Sequence, residues 1–547
     1  MAVALVCRAV DLEVLKRDFL QGQGDARHLR VAQIPAHRGM ITDRNGEPLA
    51  ISSPVDSVWA DPGELLQARD RIPALAKRLG LRSAALVQTL QRHKDRQFLY
   101  LRRHIPPDRA HAVMSLELPG VGLRREYRRF YPAGEVTSHV LGFTNIDDHG
   151  QEGLELAFDD WLEGEPGAKR VVRDRLGREV ETVEQIRKPR PGKNLTLAMD
   201  RRLQYLAYRE LKTAVRRHHA KSGSLVLLDA RTGEVLAMVN QPAFNPNNRS
   251  EIRGSRYRNR AVTDVYEPGS TMKPFTVSAA LESGKFRPQT KIDTSPGVIR
   301  VGHSRVRDER DYGVIDLPTL IRKSSNVGAS KIALTLDPDA IWGLMSRVGF
   351  GQGTGSAFPG EVTGHLSAMP PRSDIERATL AFGYGISVTP LQLARAYTVI
   401  ASGGVLRPVS FIKRDDAPKG RRILDAPTVR EVRHMMEGVV SDTGTAPKAK
   451  VPGYRVAGKT GTVKKSVAGG YSDHRYLSLF AGMAPASNPR FVCVVLVDEP
   501  QGDEYYGGLV AAPVFREVMA GALRLWNVPP DGKSGDGTLL MAQGGDL

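Results

Sequence analysis

Two residue types that together perform acyl transfer lie three positions apart in the segment DVYEPGSTMKPFTVSAALESG. Ser270 and Lys273 follow the turn residues Pro268 and Gly269, and the apolar spacing after them predicts a helix. On that helix the two side chains would lie on one face, one turn apart. A serine hydroxyl becomes nucleophilic when a base takes its proton, and a partly buried amine is a suitable base. The helix N-terminus adds N–H groups that can stabilise an oxyanion.

This S-x-x-K pattern is weak evidence alone, because a helix-capping serine followed by a surface lysine has the same spacing. The pattern recurs at Ser410 and Lys413, where no chemical role is indicated. A second motif, S-x-N, occurs once in the chain, at Ser324 and Asn326 in KSSNVGAS. Taken alone, it is explained equally well as a set of residues that cap the next helix.

A third motif lies in the segment VAGKTGTVKK, before sequence that predicts a strand. It consists of Lys459, Thr460, Gly461 and Thr462. The K-[ST]-G pattern also occurs at Lys221 and Lys533, so Lys459 could be a loop lysine before a strand. The order S-x-x-K, S-x-N, K-T-G, each in suitable local structure, is nevertheless the signature set of penicillin-recognising serine acyltransferases. The ordered set therefore favours the catalytic interpretation over the capping and loop interpretations.

The composition restricts the class of protein. The chain has 547 residues, of which 41% are hydrophobic and 25% charged, so wholesale disorder, a collagen-like fibre and a polytopic membrane protein are excluded. The net charge of +18 is diffuse, and without an RNP, zinc-finger or basic-zipper signature we expect no nucleic-acid partner. The two cysteines, Cys7 and Cys493, argue against a disulfide scaffold. No His/Cys cluster indicates a metal, and we expect no cofactor.

The elements that must position these motifs fall into two parts. In the first part, Ala74–Leu90 has helical spacing and Val136–Asn145 has an extended pattern. The breaker cluster at 189–192 is the best single boundary. Length favours two or three domains. We predict an anchor remnant at 1–20, an N-terminal domain at 21–193, a catalytic domain at 194–528 and a disordered tail at 529–547.

The second part predicts an antiparallel sheet assembled from distant pieces of the chain, with helices on its faces. A hairpin is indicated by SLVLLDA and EVLAMVN, which flank a turn. Two later strands are indicated by YLSLFAGMA and RFVCVVLVDEP, after a largely helical stretch at 265–400. The last helix is predicted at Pro513–Leu525, with its proline in the first turn. The predicted fold class is α+β.

Further segments extend the resemblance beyond the three motifs. The chain resembles class B penicillin-binding proteins, and among them most closely the division-specific septal peptidoglycan D,D-transpeptidase of Gram-negative bacteria. The resemblance covers Asp11 to Leu525. It rests on RGMITDRNGEPLA, RRFYPAGEVTSHVLGF and GQEGLELAFDDWLEGEPG in the first part, and on NQPAFNPNN, YEPGSTMKPF and GYGISVTPLQLARAY in the second.

The resemblance implies a fold, a location and partners. It implies a transpeptidase domain of the penicillin-binding and β-lactamase type, with a helical subdomain, preceded by an elongated N-terminal pedestal. Members of the family have one spanning helix in the inner membrane and a periplasmic catalytic domain. In this chain only MAVALVC and VDLEVL correspond to the anchor, which we therefore expect to be incomplete. The implied partners are D-Ala-D-Ala stem peptides, β-lactams as covalent inhibitors, and division proteins that include a membrane-embedded glycan polymerase.

The resemblance also implies a role for each motif residue. Ser270 would be the nucleophile, Lys273 its base, Ser324 the proton shuttle and Asn326 the group that orients substrate and Lys273. Lys459 would supply positive potential. The substrate-binding residues would be Thr460, Gly461 and Thr462, with the threonine hydroxyls on the substrate carboxylate and the N–H groups of Ser270 and Thr462 as the oxyanion hole.

Two alternatives remain open at this point. A β-lactamase or D,D-carboxypeptidase would use the same residues with water as the acceptor, and the motifs do not separate the two acceptors. The large N-terminal part disfavours a small β-lactamase. The second alternative is a protein without catalysis, either a β-lactam sensor or a division scaffold, although a scaffold would not need three intact motifs.

Overall fold

The computed structural model describes residues 29–173, 179–248, 250, 254–467 and 470–532. The anchor remnant predicted at 1–20 lies outside the described residues, as does most of the tail predicted at 529–547. Within the described ranges, no helix is both long enough and apolar enough to cross a membrane.

Among its described residues, the N-terminal part of the chain contains nine strands and seven helices. The strands are β1 (Leu29–Ile34), β2 (Ile41–Thr42), β3 (Pro48–Ala60), β4 (Leu99–Ile105), β5 (Val121–Phe130), β6 (Phe143–Thr144), β7 (Gly150–Glu152), β8 (Gly167–Arg173) and β9 (Glu179–Arg187). The helices are α1 (Pro62–Leu65), α2 (Ile72–Leu79), α3 (Ser83–Arg92), α4 (Pro107–Met114), α5 (Ser138–Leu141), α6 (Gly153–Ala157) and α7 (Asp159–Leu162).

These strands form two main sheets. The first has the order β1-β8-β9, and the second contains β2, β3, β4 and β5 together with a short later strand at Leu195–Thr196. The helices α2, α3 and α4 pack with β3 around a small apolar core that includes Val58, Leu75 and Leu90. A separate core contains Ile41 and Leu49 of this region together with apolar residues of the second part of the chain.

Two sequence predictions in this part have different outcomes. The helical segment predicted at Ala74–Leu90 forms two helices, because Gly80 ends the first with a left-handed backbone (φ 65°). The extended structure predicted at Val136–Asn145 is wrong over most of its length. The helix Ser138–Leu141 lies there instead, and all four of its residues are buried, so burial on every side hid the helical period.

The remainder of the described chain contains twelve strands and ten helices. The strands are β10 (Leu195–Thr196), β11 (Ser222–Asp229), β12 (Val235–Gln241), β13 (Ile292–Asp293), β14 (Val298–Val301), β15 (Ser304–Arg307), β16 (Val314–Ile315), β17 (Val405–Leu406), β18 (Arg421–Arg422), β19 (Ala457–Val467), β20 (Gly470–Ala484) and β21 (Phe491–Asp498). The helices are α8 (Arg201–Arg217), α9 (Arg260–Thr263), α10 (Lys273–Glu282), α11 (Leu317–Lys323), α12 (Asn326–Thr335), α13 (Ala340–Arg347), α14 (Asp374–Leu380), α15 (Pro390–Ala401), α16 (Ala426–Val440) and α17 (Gly507–Leu525).

The central sheet has the order β12-β11-β21-β20-β19, and every neighbouring pair is antiparallel. Both strands of the predicted hairpin and both late strands are in it, which confirms a sheet assembled from distant pieces of the chain. Every residue of β11 and β12 is buried, because helices cover the sheet. The helices α8 and α17 pack on each other and on the sheet, while α10 packs against α16.

The start of the last helix differs from the prediction. The helix α17 begins at Gly507, so Pro513 lies inside it rather than in its first turn. A Cβ at Gly507 would lie 2.2 Å from the Leu479 carbonyl oxygen, and the Gly507 N–H donates to Thr462 Oγ1 at 3.0 Å. The helix start is therefore fixed by contact with the edge of the sheet, which apolar spacing does not reveal.

The predicted tail boundary falls after residue 528. The carboxylate of Asp531 accepts hydrogen bonds from the backbone N–H groups of Arg455 and Ser487, at 2.7 and 2.9 Å. The first residues of the segment predicted as tail therefore continue along the surface of the catalytic part.

Candidate active site

Ser270 lies in a single 3₁₀ turn, Gly269–Met272, that leads directly into α10. The turn presses against β19, where a Cβ on Gly269 would lie 2.4 Å from Val463 Cγ2, and Gly269 has a φ of +55°. Only glycine fits this position without displacing the strand. The N-terminal end of α10 then places Lys273 Nζ 3.0 Å from Ser270 Oγ, as the S-x-x-K spacing predicted.

Ser324 occupies the junction between α11 and α12 in a left-handed conformation (φ 60°) that is uncommon for residues other than glycine. The junction brings both residues of the S-x-N motif to Lys273. Lys273 Nζ lies within hydrogen-bond distance of Ser324 Oγ (3.1 Å), of the Ser324 carbonyl oxygen (2.5 Å) and of Asn326 Oδ1 (2.8 Å). Lys273 is therefore held on one side by Ser270 and on the other by the second motif.

Lys459 lies within the edge strand β19, not in a loop before a strand. Its Nζ donates to Ser324 Oγ at 2.8 Å and to the Thr460 carbonyl oxygen at 3.2 Å. The Ser324 hydroxyl thus lies between the two lysines. The three motifs, distant in sequence, meet in one continuous chain of contacts from Ser270 through Lys273 and Ser324 to Lys459.

Both lysines are completely buried, and this changes their proton affinity. Burial is the largest cause that lowers the pKa of Lys273 well below 10.5, and the positive charge of Lys459 lowers it further, while Asp308 opposes the shift. Burial also lowers the pKa of Lys459, to about 7. A lowered pKa favours the neutral amine, which can accept a proton from Ser270, so the environment suits Lys273 to the role of general base.

A cleft of about 590 Å³ opens above these residues, lined by Ser270, Ser324, Asn326, Thr460 and Thr462 among others. The hydroxyl of Thr460 lies 2.9 Å from that of Thr445, and the hydroxyl of Thr462 accepts the Gly507 N–H. Each threonine hydroxyl thus has a fixed neighbour and lines the cleft in which a substrate carboxylate would lie.

Gly461 has a different position from its two threonine neighbours. A Cβ at Gly461 would lie 3.1 Å from Thr271 Cγ2 and 3.2 Å from the Pro268 carbonyl oxygen. This glycine therefore allows β19 to approach the turn that carries Ser270. Its contribution is close packing between the third motif and the first.

Three residues that the sequence analysis did not single out support the site. The Tyr397 hydroxyl donates to the Thr271 carbonyl oxygen at 2.7 Å and so fixes the turn of the nucleophile. Thr445 contacts Thr460. The Asp308 carboxylate accepts hydrogen bonds from the backbone N–H groups of Asn326 and Val327. Tyr397 lies in the segment GYGISVTPLQLARAY, which carries the family resemblance but no pattern that distinguishes this tyrosine from a core residue. Asp308 lies in a polar stretch without any periodic pattern.

Among the described residues, His149, Asp159 and Glu163 offer ligand atoms for a metal ion that lie within 4.8 Å of one another, in the N-terminal part. Asp159 already accepts hydrogen bonds from Arg38 and from the Gly150 N–H, so its negative charge is paired with the Arg38 guanidinium. The acyl-transfer residues do not include any of these three.

Comparison with known families decides the identity of the chain. Residues 223–520 match the penicillin binding protein transpeptidase domain, and residues 33–197 match the penicillin-binding protein dimerisation domain. The chain belongs to the penicillin-binding protein transpeptidase family. The first match covers the region that carries all three motifs.

Curated relatives and solved structures agree with this family. The chain is 46% identical over 532 residues to the peptidoglycan D,D-transpeptidase FtsI of Escherichia coli, covering 96% of this chain and 90% of the relative. It is 43% identical to the probable peptidoglycan D,D-transpeptidase PbpC of Pseudomonas aeruginosa, covering 97% and 94%. The transpeptidase domain of Burkholderia pseudomallei penicillin-binding protein 3 is 44% identical with a TM-score of 0.57, over 61% of this chain and 98% of that one. A peptidoglycan synthetase from Bifidobacterium adolescentis is 26% identical with a TM-score of 0.73, over 93% and 98%.

Proposed function

We propose that this protein is a peptidoglycan D,D-transpeptidase that cross-links stem peptides through a serine acyl-enzyme during septal cell-wall synthesis. The observation that carries the proposal is the set of contacts that joins Ser270, Lys273, Ser324 and Lys459, in a chain that matches a D,D-transpeptidase over nearly its whole length. A serine, an amine with a lowered pKa and a bridging hydroxyl are the parts that acyl transfer needs.

In the acylation step, Ser270 Oγ attacks the carbonyl carbon of the penultimate D-alanine. Lys273 takes the hydroxyl proton as the C–O bond forms, because its neutral amine lies 3.0 Å from Ser270 Oγ. The C–N bond to the terminal D-alanine then breaks. The Ser324 hydroxyl gives its proton to the leaving amine and regains one from Lys273, whose Nζ is 3.1 Å away. Acyl-enzyme and free D-alanine result.

In the second step an amine from a neighbouring stem peptide attacks the ester carbonyl. The same groups act in reverse: the attacking nitrogen loses a proton to the Ser324–Lys273 pair, an amide bond forms, and Ser270 leaves with its proton restored. The balance of atoms requires no metal and no redox partner. The products are the cross-linked peptide and the free enzyme.

The remaining motif residues bind and orient the substrate. Asn326 orients the substrate amide and Lys273, and Lys459 supplies positive potential for the substrate carboxylate. Thr460 and Thr462 hydrogen-bond that carboxylate, while Gly461 allows the strand to lie beside the nucleophile. The backbone N–H groups of Ser270 and Thr462 form the oxyanion hole, where charge develops during attack.

We also propose partners, a location and domain boundaries for the protein. β-Lactams acylate Ser270 and inhibit the enzyme. Division proteins, including a membrane-embedded glycan polymerase, bind the N-terminal domain at 21–193. The protein is anchored in the inner membrane, and its catalytic domain at 194–528 works in the periplasm. Support comes from the resemblance of the chain to septal enzymes, and from the family match in both of its parts.

Covalent labelling tests the proposed function. The purified protein and its Ser270→Ala variant are incubated with a fluorescent penicillin and separated on a denaturing gel over time. We expect a band that persists for many minutes in the wild type and is absent from the variant, whose circular dichroism spectrum should be unchanged. A band of wild-type intensity in Ser270→Ala would remove Ser270 as the nucleophile.

The same gel separates the alternatives. Transient labelling together with drug turnover would indicate a β-lactamase. Stable labelling alone does not separate a transpeptidase from a carboxypeptidase, so a stem peptide with a D-Ala-D-Ala end is then supplied with and without an acceptor amine. A cross-linked product supports the transpeptidase, and hydrolysis in spite of the amine supports the carboxypeptidase. A folded wild type that is never labelled would indicate a scaffold.

A further inference from the structure

The carboxylate of Asp308 receives three hydrogen bonds from one short segment of the active site. Asp308 follows β15 and lies outside all three sequence motifs. It accepts from Ser325 Oγ at 2.6 Å, from the Asn326 N–H at 2.5 Å and from the Val327 N–H at 3.0 Å. These two N–H groups belong to the first turn of α12, which has no partners for them within the helix. Asp308 thus caps α12 from a different part of the chain.

The residue before Asp308 fixes the side chain of Asn326. Asn326 Nδ2 donates to the Arg307 carbonyl oxygen at 3.0 Å, which leaves Asn326 Oδ1 to accept from Lys273 Nζ at 2.8 Å. The two neighbouring residues therefore hold the backbone and the side chain of Asn326 together. This pair of contacts decides which end of the amide faces the lysine.

The contacts of Asp308 also restrain Ser324, which directly precedes the segment that Asp308 binds. Ser324 has a left-handed backbone, which is unfavourable for a residue other than glycine and persists only when its surroundings impose it. On its N-terminal side it is held by α11, where its N–H donates to Leu320. On its C-terminal side the segment that follows is held by Asp308.

From these contacts we infer that Asp308 is a positioning residue for acyl transfer, which holds Ser324 and Asn326 in register with Lys273. The inference rests on the proposed function and names a further residue of the same site. Asp308 does not touch the nucleophile among the contacts described; it acts through the S-x-N segment. Its own position is fixed because its N–H donates to the Gly297 carbonyl oxygen at 2.9 Å.

The first test compares two variants that each lose a helix-capping carboxylate. Asp308→Ala removes the cap of α12, and Asp425→Ala removes the cap of α16, where Asp425 Oδ1 accepts the Thr428 N–H at 2.8 Å. We expect the acylation rate constant with a chromogenic β-lactam to fall about 100-fold in Asp308→Ala, because a misplacement of about 1 Å in a catalytic group has an effect of that size. Asp425→Ala should acylate at the wild-type rate.

A double variant distinguishes positioning from a general loss of structure. If Asp308 acts through Asn326, then Asp308→Ala should slow acylation much less in an Asn326→Ala background than in the wild type. Equal factors in the two backgrounds would contradict an action through Asn326. The loss should also appear in the first-order acylation step at saturating drug, with the non-covalent dissociation constant changed less.

An Asp308→Asn variant covers the case in which Asp308→Ala does not fold. It preserves the shape and one acceptor oxygen but removes the negative charge. In the wild type this charge opposes the lowering of the Lys273 pKa by burial and by Lys459. The pKa of Lys273 should therefore fall further, and the acid limb of the acylation profile should move to lower pH. A limb at the wild-type position, with the wild-type rate, would overturn the inference.

The outcomes for the inference and for the proposed function are separate. A wild type that β-lactams do not acylate would defeat the proposed function, whatever Asp308 does. A wild type that is acylated, together with an Asp308→Ala variant of the same rate, would defeat only the role of Asp308.

Discussion

Two buried clusters of charged side chains lie in the two parts of this molecule, and they are built in opposite ways. In the N-terminal part, Glu155 is completely buried between Arg38 and Arg129, with N–O distances of 2.9 and 2.6 Å. In the catalytic part, Lys273 and Lys459 are equally buried, but among the described residues their hydrogen-bond partners are all uncharged oxygen atoms. Both clusters exclude water, and only the first pairs its charges.

The difference in pairing determines the proton affinity of each cluster. Burial alone lowers the pKa of Arg38, but Glu155 and Asp159 more than offset it, so the net pKa is raised. Burial lowers the pKa of Lys273, and the neighbouring Lys459 adds to the shift. A paired cluster thus keeps its charges and joins distant segments, whereas an unpaired one lowers the pKa of its amine, so that the amine gives up its proton more readily and can serve as a base. The first is suited to structure and the second to chemistry.

Removal of Lys273, the proposed base, from the unpaired cluster should have the largest effect. We expect Lys273→Ala to slow acylation by about 10²–10⁴-fold, the usual contribution of general-base assistance. Stopped-flow measurement with a chromogenic β-lactam gives the rate constant, and the melting temperature of the variant serves as the control. A rate within about threefold of wild type, in a folded variant, would remove Lys273 as the base.

Removal of the anion from the paired cluster should reduce stability instead. Glu155→Gln leaves Arg38 and Arg129 buried without their counter-ion, which typically costs about 3–5 kcal/mol of unfolding free energy. The matched control is Glu184→Gln, which breaks the exposed pair with Arg170 and should cost less than about 1 kcal/mol. Urea unfolding gives both values. Equal losses of unfolding free energy in the two variants would show that burial does not determine how much an ion pair stabilises the fold.

A smaller effect is expected at Asp148, at the margin of the paired cluster. Burial raises its pKa from 3.8 to about 6, although Arg129 and Arg38 act in the opposite direction. Because the pKa of Asp148 is higher in the folded state than in the unfolded state, its contribution to stability is greatest below about pH 4. This contribution declines as the pH rises through 6. Asp148→Asn should remove this decline.

The expected gain for Asp148→Asn at pH 7 is at most about 3 kcal/mol, since one pKa unit corresponds to about 1.4 kcal/mol. Urea unfolding of wild type and variant at pH 4 and pH 7 measures it. If the difference between the two proteins is the same at both pH values, Asp148 does not titrate as described.

The sequence allowed prediction of the residues that meet in the candidate site, because their types and order are restricted by the chemistry of acyl transfer. Ser270 and Lys273 could be predicted to be neighbours since three residues span one helical turn. Four strands of the central sheet, β11, β12, β20 and β21, could be predicted because each contains an apolar run.

The supporting contacts could not be predicted, because they join residues that are far apart in the chain. Asp308 lies in a polar stretch, and its role appears only when β15 is placed beside α12. The start of α17 depends on the contact of Gly507 with β19 and β20, and the Glu155 cluster joins residues more than 100 positions apart. In each case the cause is tertiary packing rather than local preference.

The pH dependence of acylation tests the central claim most directly. The second-order rate constant of the wild type with a β-lactam is measured from about pH 5 to pH 10.5. We predict a rise with pH that is complete well below 10.5, as Lys273 loses its proton, and a decline above about pH 7, as Lys459 loses the charge that attracts the substrate carboxylate. A rate that continues to rise up to pH 10.5 would show that Lys273 titrates as an ordinary exposed lysine, and would contradict the account.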